Sequence, residues 1–292
     1  VRVKVGEVGD KLVASPLARG AGAAMSLVRA DGFCVIPQNS EGVEAGDTVD
    51  VELYRSLEEI GSTAVAIGSH DLILDVMADL LPCMYPGNYL SSTHVGSMGG
   101  LMALKRGEAH LAPTHLLDEE TGEYNIAILK KLFAGEKMAL VKGVERIQGI
   151  IVKKGNPLGI HEIEDLRGLN YVNRQRGAGT RVLFDYKLKE AGISPEEIHG
   201  YDREAATHMA VAAAVSGGDA DAGMGIQSAA RAMGLDFIEI GREEYDFAIP
   251  VRFLDFPPVQ HFLAVLKSRE FAERVEKLGG YGLARTGEIL YL

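Results

Sequence analysis

Tryptophan is absent from the 292 residues, aromatic residues make up only 7% of them, and there are two cysteines. Cys34 and Cys83 cannot build a disulfide framework, and no C-x-x-C pair is present to suggest a redox or zinc site. A reducing, cytoplasmic compartment is the expectation. No apolar run approaches the roughly 18 residues of a membrane helix, and VRVKVGEVGDK lacks the apolar stretch of a signal peptide, so no membrane partner is expected. Excess positive charge is missing as well: 30 Lys and Arg stand against 41 Asp and Glu, a net charge of -11. That field opposes nonspecific attraction to nucleic acid, and no helix-turn-helix pattern is present. An anionic ligand would have to be captured by local donors. The lysine of a Walker A loop, the G-x-G-x-x-G fingerprint, H-E-x-x-H and the G-x-S-x-G elbow are all absent. No catalytic residue, resident metal or cofactor is therefore assigned to this chain.

What remains is 47% hydrophobic and 24% charged sequence, the composition of a globular protein with about two domains. The chain opens on Val1 rather than Met, as expected of a segment cut from a longer protein. Residues 1 to about 56 carry short β-rich runs, RVKVGEV, GFCVIPQ and VDVELY, separated by Gly, Pro and Gly-Asp turn signals. From residue 57 onward, short apolar strands alternate with helices, which predicts an α/β architecture with a parallel sheet. AVAIG, MALVKG, RIQGIIVKKGNP, LNYVNRQ, ADAGMGI and DFIEI are expected as separate strands. Ser194, Pro195 and Glu197 form a capping-box signature.

In such sheets ligands bind beyond the carboxyl ends of the strands, where helix N-termini point. Four loops there are rich in small and polar residues. Ser69 and His70 follow AVAIG, so a hydroxyl and free amides face one point, although Ser69 alone also serves as an ordinary helix cap. Ser97 sits among Gly96, Gly99 and Gly100 one strand later. RQRGAGTR is the most specific: Gly177 and Gly179 let backbone amides approach an anion, Thr180 adds a hydroxyl, and Arg174, Arg176 and Arg181 offset the negative field. GDADAGMG carries Asp219 and Asp221, for which a structural role is expected, and Tyr245 is expected half-buried with a phenol available as donor. His70, His94, His110 and His115 fall near successive strand ends, yet with Asp71 they match no compact metal motif, and no metal is assigned. Cys34 reads as a core thiol and Cys83 as accessible.

The GSHD turn (68–71), HVGSMGGLMAL (94–104), RIQGIIVKKGNP, NRQRGAGTR (173–181) and GDADAGMGI (218–226) together resemble a type II periplasmic-binding-protein fold. It is the architecture of molybdate-binding proteins and of LysR effector domains. RVKVGEVGDKLVASPL and AAMSLVRADGFCVIPQNSEGVEAGDTVDVELY resemble the C-terminal β-barrel domain of the molybdopterin molybdenumtransferase (MoeA) family. The resemblance implies a small β-barrel at 1–56 and a two-lobed domain at 57–292, with lobe 1 at about 60–147 and 255–292 and lobe 2 at about 150–250. It implies hinge closure about strands near 147–153 and 250–256 on a small anion, molybdate or tungstate, held by Ser69, Ser97 and Thr180 with amides around His70, Gly179 and Arg181. His70 and the three arginines, Arg174, Arg176 and Arg181, depart from the uncharged cage of molybdate receptors and allow a different anion or a pterin-phosphate. The expected function is a cytoplasmic ligand-binding module serving molybdenum cofactor biosynthesis. The alternatives are part of a molybdenumtransferase enzyme and a ligand sensor, and a homo-oligomer is compatible with each.

Overall fold

The computed structural model describes residues 1–17, 30–44, 46–118 and 121–292. The stretch AAMSLVR (23–29) and Ala45, which carry part of the β-domain resemblance, lie outside the described residues. The chain divides into two compact units, Val1–Pro113 with Ile249–Ser268, and Thr114–Ala248 with Arg269–Leu292.

The first unit opens with β1 (Arg2–Val8), β2 (Lys11–Pro16), β3 (Gly32–Cys34) and β4 (Val51–Leu53), an antiparallel sheet in the order β2-β1-β3-β4. Val3, Val5 and Val8 of β1 are buried, and Val3 and Val5 form a small core with Cys34 and Ile60. Buried Asp31 holds the module together by accepting from the Val5 amide at 2.9 Å and pairing with Lys4 and Arg55. A short helix α1 (Leu57–Gly61) follows, started by a capping box in which Ser56 and Glu59 bond each other's amides. Next come the parallel strands β5 (Thr63–Gly68) and β6 (Tyr89–His94), with α2 (Leu72–Met84) between them and α3 (Gly96–Lys105) after. Every residue of β5 is buried, as expected of an apolar run in a parallel sheet. Gly100 lets α3 lie directly on β5, because a Cβ there would meet the Ile67 carbonyl oxygen at 2.3 Å. Gly6 does the same for β1, where a Cβ would reach Val65 Cγ2 at 2.1 Å.

His110 rivets this packing. Its Nδ1 accepts from the Val65 amide at 3.0 Å, its other nitrogen bonds the Glu7 carbonyl, and Phe253 and Phe256 cover the ring. Burial therefore lowers its pKa to about 4, and the imidazole is neutral in the native state. A base depressed on folding contributes stability above its unfolded pKa and loses it as the pH falls from about 6.5 to about 4. His110 alone accounts for up to about 3 kcal/mol of that loss. Urea unfolding from pH 7.5 downward checks this: the midpoint falls with acid, and His110→Gln flattens the fall. Half-buried His115 and His208 in the second unit, whose pKa values desolvation also lowers, add losses of the same sign.

The chain passes into the second unit within β7 (Ala112–Thr114). There α4 (Ile126–Leu132) leads to β8 (Met138–Val152), β9 (Tyr171–Arg174), α5 (Gly179–Glu190), β10 (Glu204–Ala205), α6 (His208–Gly217), β11 (Ala222–Ile226), α7 (Gln227–Ala232) and β12 (Asp236–Pro250). The sheet runs β10-β9-β11-β8-β12, with β10, β9 and β11 parallel and β8 antiparallel to β11. One face packs on α5 through Ile150, Tyr171, Leu183, Phe184 and Met224, the other on α6 and α7 through Ile151, Val172, Val211 and Ala229. The sequence pattern of two strands, MALVKG and RIQGIIVKKGNP, is in fact the single strand β8. Gly143 does not break it, because a Cβ at that position would meet the Tyr245 carbonyl oxygen at 2.3 Å and the glycine keeps β8 flush with β12. DFIEI likewise continues unbroken to Pro250. The first unit regains α8 (Pro257–Leu266), and α9 (Arg269–Leu278), β13 (Tyr281–Gly282) and β14 (Ile289–Tyr291) complete the second. Both β13 and β14 pair with β8.

Candidate functional site

In the first unit the loops after β5 and β6 are adjacent, since the Val95 amide donates to the Gly68 carbonyl at 2.9 Å. Ser69 and Ser97 are both buried at these turns. The cap of α2 is Asp71, not Ser69: its carboxylate accepts from the Ile73 amide at 3.0 Å. The Ser69 amide donates to the Pro113 carbonyl. The His70 and His94 rings lie tilted against each other with centroids 4.2 Å apart, and His70 Nε2 lies 3.4 Å from Asp75. His110 is held in the core described above, and His115 belongs to the second unit. Among the described residues no group of three or more His, Cys, Asp or Glu is arranged to hold a metal ion.

The second unit gathers more charge. Arg174 ends β9 and is buried. Its Nε and Nη2 donate to the Ala205 and Ala206 carbonyls at 3.2 and 3.1 Å, and its Nη1 lies 2.9 Å from Nδ1 of His208, the first residue of α6. No carboxylate is within salt-bridge distance of Arg174 among the described residues. Desolvation, with Arg146 as a cationic neighbour, lowers its pKa to about 10, against a smaller upward pull from the Glu243 carboxylate. His208 and His115 are pushed well below the ordinary imidazole value, first by burial and then by Arg174 and Arg146, so both are neutral. His208 Nδ1 is thereby free of a proton to accept from the guanidinium.

The other buried cations of this unit have carboxylate partners. Arg146 pairs with Glu243, both fully enclosed, and its guanidinium lies over the Tyr245 ring at 4.8 Å. Lys142 binds Asp246 at 3.0 Å and also Glu244. Arg181 donates to Glu204 at 2.8 Å and to the Arg174 carbonyl, and stacks on Tyr201 at 4.6 Å. Its side chain thus braces the start of α5, while Arg176 is exposed beside Asp202 and Glu204. Thr180 is buried in the first turn of α5. Gly179 is needed there because His115 lies against it: a Cβ would meet the ring at 2.5 Å. His115 in turn stacks on Tyr245, 5.9 Å between centroids, and Tyr245 is fully buried where half-burial was expected. Asp221 has the structural role expected of it, accepting from the Asn170 amide at 2.8 Å.

The second unit therefore brings Arg174, Gly179, Thr180 and Arg181 to the carboxyl edge of β9, and adds His115, Arg146, His208 and Glu243, which the sequence did not single out as ligand-binding. Among the described residues no helix is long and apolar enough to cross a membrane.

Residues 79–267 match the PBP superfamily domain, and the chain belongs to that superfamily. Residues 1–54 match the MoeA C-terminal region (domain IV), so a small β domain of that kind precedes an α/β binding-protein-like fold. The uncharacterized protein YvgK of Bacillus subtilis (strain 168) is 32% identical over 238 residues, covering 81% of this chain and 76% of its own. A Clostridium pasteurianum protein encoded in the 5′ region of a ferredoxin 2Fe-2S gene is 34% identical over 110 residues, 37% of this chain and 97% of its own. Among solved structures, a putative phosphate ABC transporter substrate-binding protein with bound phosphate from Clostridium perfringens superposes with a TM-score of 0.56 at 14% identity, covering 74% of this chain and 97% of that one. The tungstate ABC transporter structure from Geobacter sulfurreducens gives 0.55 at 12% identity, covering 74% and 98%.

Proposed function

We propose that the chain is a small-oxyanion-binding module whose charged donor is Arg174 in the second unit. The observation that carries the reading is a buried guanidinium bonded to two carbonyls and a neutral imidazole and to no carboxylate directly, Glu243 being shared at longer range with Arg146. A buried charge of this kind is disfavoured until a counter-ion arrives, and a bound anion supplies one. Thr180 and the amides at the start of α5 lie at the same strand edge and suit an oxyanion's remaining lone pairs. In the first unit Ser69 and Ser97 are proposed as hydroxyl donors at the starts of α2 and α3. The fold shared with the phosphate- and tungstate-named structures supports the ligand class.

The match of residues 1–54 supports a setting in molybdenum cofactor biosynthesis, with molybdate, tungstate and a pterin-phosphate as further ligand candidates. A cytoplasmic setting belongs to the same proposal, supported by the free thiols of Cys34 and Cys83.

Titration calorimetry and thermal melts with phosphate, sulfate, molybdate and tungstate test the reading. A bound ion at about 100 times its Kd adds about 2.7 kcal/mol to stability, a rise of several degrees in Tm. Absence of heat and of any shift with all four ions overturns it.

A further inference from the structure

Two buried side chains beside this cluster remain unused by the oxyanion reading. Gln148 is wholly inaccessible, yet neither its amide oxygen nor its amide nitrogen has a hydrogen-bond partner among the described residues. The hydroxyl of Ser228, also buried, is in the same condition. Their backbones are neighbours. Gln148 stands opposite Ile226 at the end of β11, two residues ahead of Ser228. It is also two residues along β8 from Arg146, so both side chains leave the same face of the strand. Arg146 in turn is close enough to Arg174 to act on its charge.

Donors and acceptors here are unequal in what they ask of a ligand. Arg174 and the hydroxyl of Thr180 call for a negative ion with lone pairs. The Gln148 Nε2 group and Ser228 Oγ can donate to the same ion. Gln148 Oε1 cannot: it is an acceptor and needs a hydrogen supplied by the ligand. An ion with every oxygen deprotonated would set its own lone pairs against Oε1 and leave that acceptor buried and unbonded.

Resting on the oxyanion reading above, we propose that the ligand of the second unit is an oxyanion that keeps a proton at neutral pH, of the hydrogenphosphate kind. Gln148 Oε1 accepts its O–H, while Gln148 Nε2 and Ser228 Oγ donate to its unprotonated oxygens. The site then selects such an ion over sulfate, molybdate and tungstate, which carry no proton under those conditions. A site built to bond a ligand hydroxyl rejects an analogue lacking it strongly, because its own polar group is left without a partner.

The test is calorimetry near pH 7.5 on the whole chain, using phosphate and arsenate against sulfate, molybdate and tungstate, with the Gln148→Met and Ser228→Ala variants. Phosphate and arsenate are expected to bind at least about tenfold more tightly than the deprotonated ions. Gln148→Met is expected to lose about tenfold or more in phosphate affinity while changing sulfate and molybdate by no more than about twofold. Because methionine fills the same space without an unbonded amide, the ligand-free Tm of that variant should equal or exceed that of the parent, which a merely structural glutamine would not allow. If Gln148→Met does not fold, the ion order of the parent and the weakened phosphate binding of Ser228→Ala decide. Equal binding of the deprotonated ions, or equal weakening of every ion by the variants, overturns the proposal and leaves the oxyanion reading standing. Failure of all five ions to bind the parent protein overturns both.

Discussion

Replacing Arg174 by alanine is expected to weaken oxyanion binding by at least about 30-fold while the protein stays folded. Truncating one partner of a desolvated charge pair costs about 2–5 kcal/mol, and at about 1.4 kcal/mol per tenfold this spans roughly 30-fold to more than 1000-fold. The upper part of the range is favoured by the burial of Arg174 and by the neutrality of its neighbours, since neither His208 nor His115 carries a charge that could substitute. The free protein should lose less. Its loss of bonds to the Ala205 and Ala206 carbonyls and to His208, and of the attraction of Glu243, is partly offset by relief of the repulsion from Arg146, so a net loss of about 1–3 kcal/mol is expected. Arg174→Lys keeps the charge but not the planar fork that reaches both carbonyls and His208, and should restore only part of the affinity. Calorimetry on the two variants checks this, and an alanine variant that binds like the parent would remove Arg174 from the site.

How far Arg174 was legible in sequence illustrates what a linear pattern can carry. Gly177, Gly179 and Thr180 in RQRGAGTR mark a strand-to-helix turn, and that turn is where the structure puts Arg174 and α5. Which of its three arginines faces a ligand was not legible. Arg181 is held by Glu204 and Tyr201, and Arg176 lies in solvent, through contacts some 20 residues distant in sequence. His208 and His115 sit far from that loop in the chain and reach it only because β10 lies beside β9 and because Gly179 admits the His115 ring. One signal could have found Arg146, Gln148 and Glu243: each is a polar residue in or beside the apolar run of a long strand, VERIQGIIV or REEYDFAIP. Burial of such groups is costly unless they are paired or used, so their presence in a central strand is itself an indication of function. The fold was more legible than the site. Strand and helix periodicity is local, whereas the continuity of β8 and β12 depends on how two strands fit at Gly143, which no local pattern reports.

Glu243→Gln should give the largest loss of stability, about 3–5 kcal/mol, and the loss should be partly reversed by the oxyanion. Glu243 is fully buried and bonds Arg146, whose guanidinium is itself enclosed and rests on Tyr245. Glutamine has nearly the same shape, so no cavity forms and packing contributes little. What changes is charge. Without the carboxylate, Arg146 and Arg174 are two buried cations acting on each other with two neutral imidazoles around them. Neither guanidinium can escape by losing its proton near neutral pH, so the folded state bears the whole penalty and the unfolded state bears none. A bound oxyanion restores a negative charge at the same place. The rise in Tm on adding phosphate should therefore be larger in Glu243→Gln than in the parent, even though the variant starts lower. Urea unfolding with and without phosphate measures both quantities. A variant as stable as its parent would show that Arg146 does not depend on Glu243. One that is destabilised but gains no more from phosphate than the parent would show that the ion binds out of electrostatic reach of Arg146.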